Sequence, residues 1–551
     1  MKKFLDRIGI YLTLFSRILG RYLKLSPVLT RKISCIEDIK VPSKDGSILL
    51  TDYYFPKNIE KAPVILVRTP YGRKGFFGLL YGRLVAERGY QVLVQSCRGT
   101  FGSGGEFFPY KFEKDDGLAT IEWMKKQEWY PGSFATLGGS YMGFTQYAIA
   151  NDAGPDLKAI TPAITASEFH SMTYPNGSFS FQSRLDWVIS IATQEELSRF
   201  QRNKNKPKLE AAYNHVPIQE IPEKFFGKSI PYWSMFLDPQ KNHEFWEEIG
   251  AHKTLGNLSM PICMPTGWYD IFLPWQLADY QTLCSSGSQP YLTIGPWSHS
   301  QIKGLGNTVR ESIRWFNAFL KNEKDDLPKL PVKLFIMGLN EWREFEEYPP
   351  KNTQLRAWYF HPDKELSLKD PIDSEPDNYI YDPADPTPNI GGSLLFGNAG
   401  PQNNNKLELR PDVLIYSSDI LKTPIEIIGP VKAVLYVKSS RNTADFFVRL
   451  CDVDKKGNSK NICDGIIHLD SGPALTDAKG MKIEFTLWPT AYHFEIGHKI
   501  RVQVSSGSHP RFLRNLGSNE PIATAVTIKK AHQSIFHDSE HPSCIMLSTI
   551  T

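Results

Sequence analysis

Cysteine is scarce in this chain of 551 residues: seven in all (Cys35, Cys97, Cys263, Cys284, Cys451, Cys463 and Cys544), widely spaced and without a Cys-x-x-Cys pair. That odd, dispersed set excludes a disulfide framework and a zinc-thiolate cluster, and it points to reducing, cytoplasmic surroundings. No run of eighteen apolar residues occurs, which excludes a conventional membrane-spanning helix. Net charge is only +4, and no basic face or motif of a nucleic-acid enzyme accompanies it, so nucleic acid is not an expected partner. There is no P-loop, internal repeat or low-complexity segment. Gly102, Gly104 and Gly105 miss the dinucleotide fingerprint because position 107 is Phe107, and HEFWE at His243 lacks the second histidine of a metalloprotease helix. No metal or cofactor is implied.

What remains is ordinary globular material, 41% hydrophobic, 22% charged and 12% aromatic, at a length suited to two to four domains of about 150 residues each. Positive charge collects at the start, where residues 1–32 carry eight Lys or Arg against Asp6 alone, a local +7 that leaves about −3 for the rest. Leu5, Ile8, Leu12, Phe15, Leu19 and Tyr22 recur at three- and four-residue steps, the pattern of a basic amphipathic helix. Asp6 and Arg17 bracket only a short apolar run and no Ala-x-Ala site follows, which argues against a secretory signal. Two uses stand open for this helix: peripheral attachment to an anionic membrane surface, or docking on its own protein.

Strand-length apolar runs at 64–67, 92–95 and 134–137 alternate with helical patterns at 78–88 and 116–127, the latter behind a capping Asp115. Buried strands alternating with helices predict a parallel sheet covered on both faces. The expected division is a basic helix over 1–32, an α/β core over 33–154 and 261–350, a helical insertion over 155–260 and a β-sandwich over 351–551. The core resumes with apolar runs at 262–264 and 291–294 and a helix near 311–320. The sandwich is read from Pro, Asn, Asp and Gly punctuation around β-type segments such as 431–438, 445–451 and 499–504.

The chemistry concentrates at FATLGGSYMGFTQ, residues 134–146, where a strand runs through glycines into Ser140 and then a helix. Such a turn pushes a hydroxyl out of the sheet edge, and the following helix offers unsatisfied N–H groups where an oxyanion would develop. The strict nucleophile elbow wants glycine two residues after the serine; here that position is Met142, and Gly143 comes third. Alone, a Gly-rich serine turn is a structural loop about two times in three, because glycine and serine are turn residues by default. Asp270 follows the run at 262–264 and His299 follows that at 291–294, so serine, acid and base appear in the α/β-hydrolase order. A serine hydroxyl needs an imidazole to take its proton, and the imidazole needs a carboxylate to fix its tautomer.

RTPYGR (68–73), CRGTFGSGGEF (97–107), GGSYMG (138–143), TGWYDIF, IGPWSHS and LFIMGLNEWRE (334–344) together resemble the cocaine esterase group of serine hydrolases, related to Xaa-Pro dipeptidyl peptidases and α-amino acid ester hydrolases. The likeness runs in order from about residue 33 to the C-terminus. It implies an α/β-hydrolase core with a helical cap and a C-terminal jelly-roll β-sandwich, and a G-x-S-Y-x-G serine turn that Gly138 to Gly143 fits. It also implies Ser140 as nucleophile, Asp270 as acid, His299 as base, and the Tyr71 hydroxyl with the Tyr141 backbone N–H as oxyanion donors. Phe272 is implied near the substrate, and Trp268, which flanks Asp270 with it, is a further pocket candidate. The group's D-x-R-G segment here has Ser96 before Arg98, leaving Arg98 without that carboxylate. The reading is a serine hydrolase acting on a small-molecule ester or amide through an acyl-enzyme. Xaa-Pro dipeptidyl peptidase or amino acid ester hydrolase action is the alternative, and a non-catalytic carbohydrate-binding or scaffold protein is the competing class.

Overall fold

The computed structural model describes residues 13–196, 206–238, 243–477 and 479–550. Its centre is a mixed sheet built from β1 (Ile33–Pro42), β2 (Ile48–Pro56), β3 (Val64–Thr69), β4 (Gln91–Ser96), β5 (Phe134–Gly139), β6 (Leu157–Ala163), β7 (Cys263–Tyr269), β8 (Tyr291–Ser298), β9 (Val332–Ile336) and β10 (Glu341–Phe345). Six strands run in the order β1-β2-β4-β3-β5-β6 and four in the order β10-β9-β8-β7. The halves join where Ile160 and Ile164 donate N–H bonds to the Pro261 and Pro265 carbonyls, at 3.1 and 2.9 Å. From β4 through β6 the pairing is parallel, as it is from β7 to β9, while β1, β2 and β10 are antiparallel edges.

Every residue of β3, β4 and β5 is buried, as strands covered on both faces require. Val64, Leu66 and Leu93 meet Ile121, Met124, Phe144 and Tyr147 on one face. Ile65, Val67, Val92 and Val94 meet Val309, Ile313 and Phe316 on the other, so the two-residue alternation of the strands is spent on two separate cores. The helix Glu113–Lys125 starts three residues before the expected position. Asp115 sits inside its first turn, and Glu113 and Asp116 are buried there because they pair with Arg68 (2.9 Å) and Arg98 (2.6 Å). Capping chemistry read from sequence alone does not register such distant ion pairs. The stretch at 78–88 winds as a π-type turn, Gly78–Arg83, followed by one α-turn, Leu84–Ala86.

The segment read as a helical insertion over 155–260 opens with a strand: β6 belongs to the central sheet between β5 and β7. Its LKAITPA sequence lacks the long apolar run that marks the neighbouring strands. Short helices follow, among them His170–Thr173, Phe181–Thr193, Lys206–Tyr213, Trp233–Leu237 and His243–Ile249. They form a cap over the carboxyl ends of the strands, its aromatic side chains continuous with the core beneath.

From Thr353–His361 to Cys544–Ile550 the described residues form strands, interrupted by the short 3-10 turns Pro362–Lys364, Leu407–Leu409 and Gly472–Thr476. The long strand Ile425–Ser439 pairs with Met481–Phe494, Ala531–Phe536 and Cys544–Ile550, while Thr443–Val453 pairs with Ser459–Asp470 and Lys499–Ser505, giving the layers of a β-sandwich. The sandwich is tied to the α/β body by Met337 N–H to the Ala491 carbonyl (3.0 Å) and His493 N–H to the Met337 carbonyl (2.8 Å). It is tied to the cap by Gln182 N–H to the Pro510 carbonyl (3.0 Å).

At the N-terminus residues 13–22 are helical. The side facing the protein is Ser16, Gly20 and Leu23: Ser16 Oγ donates to Glu87 at 2.8 Å, and Leu23 packs against Gly306. Phe15 and Tyr22, on the apolar face read from the sequence, instead point outward with Leu14 and Ile18, each more than half exposed. Leu5, Ile8 and Leu12 lie outside the described residues. Among the described residues no helix is long and apolar enough to cross a membrane.

Candidate active site

Ser140 stands between the end of β5 and the helix Tyr141–Ala150 with φ 61° and ψ −130°, a conformation a residue with a Cβ adopts only when its surroundings impose it. Its N–H is held by the Ala163 and Ile164 carbonyls at 2.9 and 3.1 Å. Two glycines make room for the turn. A Cβ on Gly138 would lie 2.4 Å from the Met142 Cβ, and one on Gly143 would lie 2.5 Å from the Thr165 Cγ2. The displaced glycine is thus explained: it is the third residue after the serine, not the second, that passes against the chain leaving β6.

The other two strand ends converge on this serine. Asp270 follows β7 directly and His299 follows β8 directly. The His299 Nε2 lies 3.0 Å from Ser140 Oγ, and its Nδ1 lies 2.9 Å from Asp270 Oδ2. A carboxylate only accepts, so Nδ1 carries the proton toward Asp270 and Nε2 is left to accept from the serine hydroxyl. The second Asp270 oxygen accepts the Phe272 N–H at 2.8 Å, and the Asp270 carbonyl accepts the Trp488 indole N–H at 3.2 Å from the sandwich. Asp270 is fully buried, fixed on three sides.

Tyr71, just past β3, accepts the Trp187 indole N–H on its hydroxyl at 3.1 Å, and its phenol interacts with Ser140. Burial pushes this phenol above the ordinary tyrosine range, so it stays a neutral O–H donor. Tyr141 opens the helix after Ser140, where its backbone N–H has no acceptor within that helix. Its own phenol is occupied elsewhere, donating to Glu113 at 2.8 Å and accepting the Tyr110 N–H at 2.9 Å. The cavity above Ser140 is lined by Tyr71, Tyr110, Phe169, Met172, Trp187, Ile271, Phe272, Arg184 and Leu395 among others. Phe272 also covers His299, their rings 5.4 Å apart.

Two sequence-based expectations need correction. Trp268 does not line the cavity: it is buried on β7 and donates its indole N–H to the Phe335 carbonyl at 2.7 Å. Strict alternation would put residues 268 and 270 on one face, but the register of β7 shifts between Gly267 and Tyr269, and Asp270 lies past the strand's end. Arg98 is not short of carboxylates: Asp116 takes it at 2.6 and 3.1 Å, and Asp45 also pairs with it. The Ser96 hydroxyl accepts from Arg73 instead, at 3.1 Å. Glu195 and Glu196 are engaged outside the cavity, with the Phe101 N–H (2.8 Å) and Lys228.

Arg184, Leu395 and Trp488 were not singled out from sequence. Arg184 reads there as an ordinary helical charge, and the other two come from the sandwich, 96 and 189 residues beyond His299, with no local motif. A second cavity of about 260 Å³ lies between cap and sandwich beside Phe179, Tyr213, Asp445, His468 and Arg514, and none of Ser140, Asp270 or His299 lines it.

An α/β-hydrolase sheet with a strained serine in line with a histidine and an aspartate defines the class of a serine hydrolase. The chain matches the X-Pro dipeptidyl-peptidase (S15) family over residues 45–301 and the X-Pro dipeptidyl-peptidase C-terminal non-catalytic domain over residues 322–546. It is 32% identical to cocaine esterase of Rhodococcus sp. (strain MB1 Bresler), across 94% of this chain and 99% of that protein. The chain therefore belongs to the cocaine esterase group of the S15 serine hydrolases. In fold it also matches an aminopeptidase of a marine sediment Thaumarchaeota archaeon, with TM-score 0.82 at 22% identity over 94% of this chain and 97% of that one. An α-amino acid ester hydrolase superposes with TM-score 0.80 at 21% identity over 95% and 98%.

Proposed function

We propose that the protein hydrolyses carboxylic esters through an acyl-enzyme on Ser140. The observation that carries this is the unbroken line from Asp270 through His299 to Ser140, at 2.9 and 3.0 Å. Ser140 Oγ attacks the carbonyl carbon while its proton passes to His299 Nε2, and the resulting oxyanion is received by the Tyr71 hydroxyl and the Tyr141 N–H. The C–O bond to the leaving group then breaks, with the His299 proton going to the departing oxygen. Water adds to the acyl carbon as His299 takes its proton, and Ser140 leaves with that proton as the acid is released. Asp270 keeps the imidazole in the productive tautomer throughout.

Ester cleavage is preferred over Xaa-Pro dipeptide release because, among the described residues, none that lines the cavity is a carboxylate able to hold a peptide α-ammonium group. Aryl esters and Xaa-Pro anilides assayed side by side test this. Ester kcat/KM exceeding anilide kcat/KM is the expected outcome, and the reverse order overturns the preference.

A lipid surface is the second partner we infer. The helix at 13–22 docks by one side and leaves Leu14, Phe15, Ile18 and Tyr22 outward beside exposed Arg17, Arg21 and Lys24, a combination suited to anionic headgroups. Co-sedimentation with phosphatidylglycerol-containing vesicles is expected to fall in an Ile18→Glu/Tyr22→Glu variant; equal partitioning of variant and parent would contradict it.

A further inference from the structure

Among the described residues lining the serine cavity, Arg184 is the charged side chain that the hydrolytic steps do not use. It sits on the cap helix Phe181–Thr193, three residues before Trp187 and so on the same face, and both line the cavity with Ser140. Arg184 is only 4% exposed, yet its Nε and Nη2 have no hydrogen-bond partner among the described residues. Its polar neighbour is the Tyr110 phenol, and its guanidinium lies 5.5 Å from the Phe236 ring centroid. Glu168, the carboxylate felt nearby, is spent on the His170 and Ser171 N–H groups and the Ser171 hydroxyl. A buried guanidinium stays charged, and leaving its donors empty costs free energy that a ligand anion would recover.

We propose that Arg184 is a specificity determinant for substrates whose acyl group ends in a carboxylate, such as half-esters of short dicarboxylic acids. The acyl side is assigned because the lining includes Ser140, Tyr71 and Tyr141 but not His299. The leaving group departs toward His299, its proton donor, while the acyl group stays on Ser140 within the cavity. Met172, Ile271, Phe272 and Leu395 line the same cavity and give the acyl methylenes apolar contact, and Arg184 supplies a two-donor fork for the carboxylate.

This inference rests on the ester-hydrolase reading, and the experiment separates the two. The full chain is assayed with 4-nitrophenyl half-esters of glutaric and adipic acids against 4-nitrophenyl pentanoate and hexanoate, spontaneous hydrolysis being subtracted. The parent protein is expected to favour the half-esters in kcat/KM. Arg184→Leu should lower the half-ester to neutral-ester ratio by about 10- to 100-fold, the worth of one charge-assisted hydrogen bond, and Arg184→Lys should restore part of it. A parent that prefers the neutral esters overturns the proposal whether or not the variants fold, as does an unchanged ratio in a folded Arg184→Leu. Fluorophosphonate labelling of Ser140 is run alongside: a labelled serine with an unmoved ratio sinks only the Arg184 assignment, whereas an unlabelled serine sinks the hydrolase reading itself.

Discussion

At the scale of single residues, order along the chain was informative and surroundings were not. Ser140, Asp270 and His299 were legible because each follows an apolar strand run in the sequence a hydrolase requires, and a strand end is a place a short-range pattern can locate. Trp268 was misread because proximity in sequence to Asp270 says nothing about which layer a strand residue faces. Arg184 escaped notice because burial, not residue type, makes it unusual. Tyr71 carries the sharpest prediction here. Its hydroxyl interacts with Ser140 and is steadied by the Trp187 N–H at 3.1 Å, so Tyr71→Phe should lower kcat by about 100- to 1,000-fold with a small change in KM. Retention of full kcat on an aryl ester would remove it from the oxyanion site.

At the scale of elements, β3, β4 and β5 were legible because burial on both faces leaves an uninterrupted apolar run, whereas β6 was folded into the insertion because its LKAITPA carries a lysine and a proline. The start of the helix Glu113–Lys125 was displaced because Glu113 and Asp116 serve the distant Arg68 and Arg98. The loop after β6 bears a consequence for stability. Ser167 on it donates its N–H and hydroxyl to Asp279 of the helix Leu273–Ser285, at 2.8 and 2.6 Å. Burial pushes the Asp279 carboxyl up to about 7, the Ser167 bonds pulling it back only in part. The folded state therefore holds this proton more tightly than the unfolded chain, whose aspartate titrates near 4. The stabilisation is complete below about pH 4 and is lost as pH rises through about 7. Asp186, raised to about 7 by its own burial, acts in the same direction. Thermal unfolding between pH 5 and 8 should show a shallower decline in Asp279→Asn than in the parent; parallel curves would refute the linkage.

At the scale of the whole molecule, the sandwich was legible as a β-domain but not as part of the site, because contacts spanning 200 residues leave no local trace. It supplies Leu395 to the cavity and the Trp488 bond to Asp270. Its own integrity rests partly on buried Asp464, which pairs with Arg449 at 3.0 Å and with Arg511, next to the Pro510 carbonyl that receives the cap's Gln182 N–H. Burial raises the Asp464 carboxyl, but Arg511 and Arg449 outweigh it and hold the group below the usual aspartate value, so its contribution persists at neutral pH and is lost as pH falls through that lowered value. Asp464→Asn strands two buried guanidinium groups and should cost about 3–5 kcal/mol in chemical unfolding; a loss under 1 kcal/mol would show the cluster to be dispensable. The central claim is that three side chains brought together from three strand ends act as one acyl-transfer unit. Mapping a fluorophosphonate adduct by peptide mass spectrometry, in the parent and in His299→Ala, tests it most directly. The account predicts one adduct, on Ser140, formed at least about 1,000-fold more slowly without the imidazole; an adduct on another serine, or an equal labelling rate in the two proteins, would contradict it.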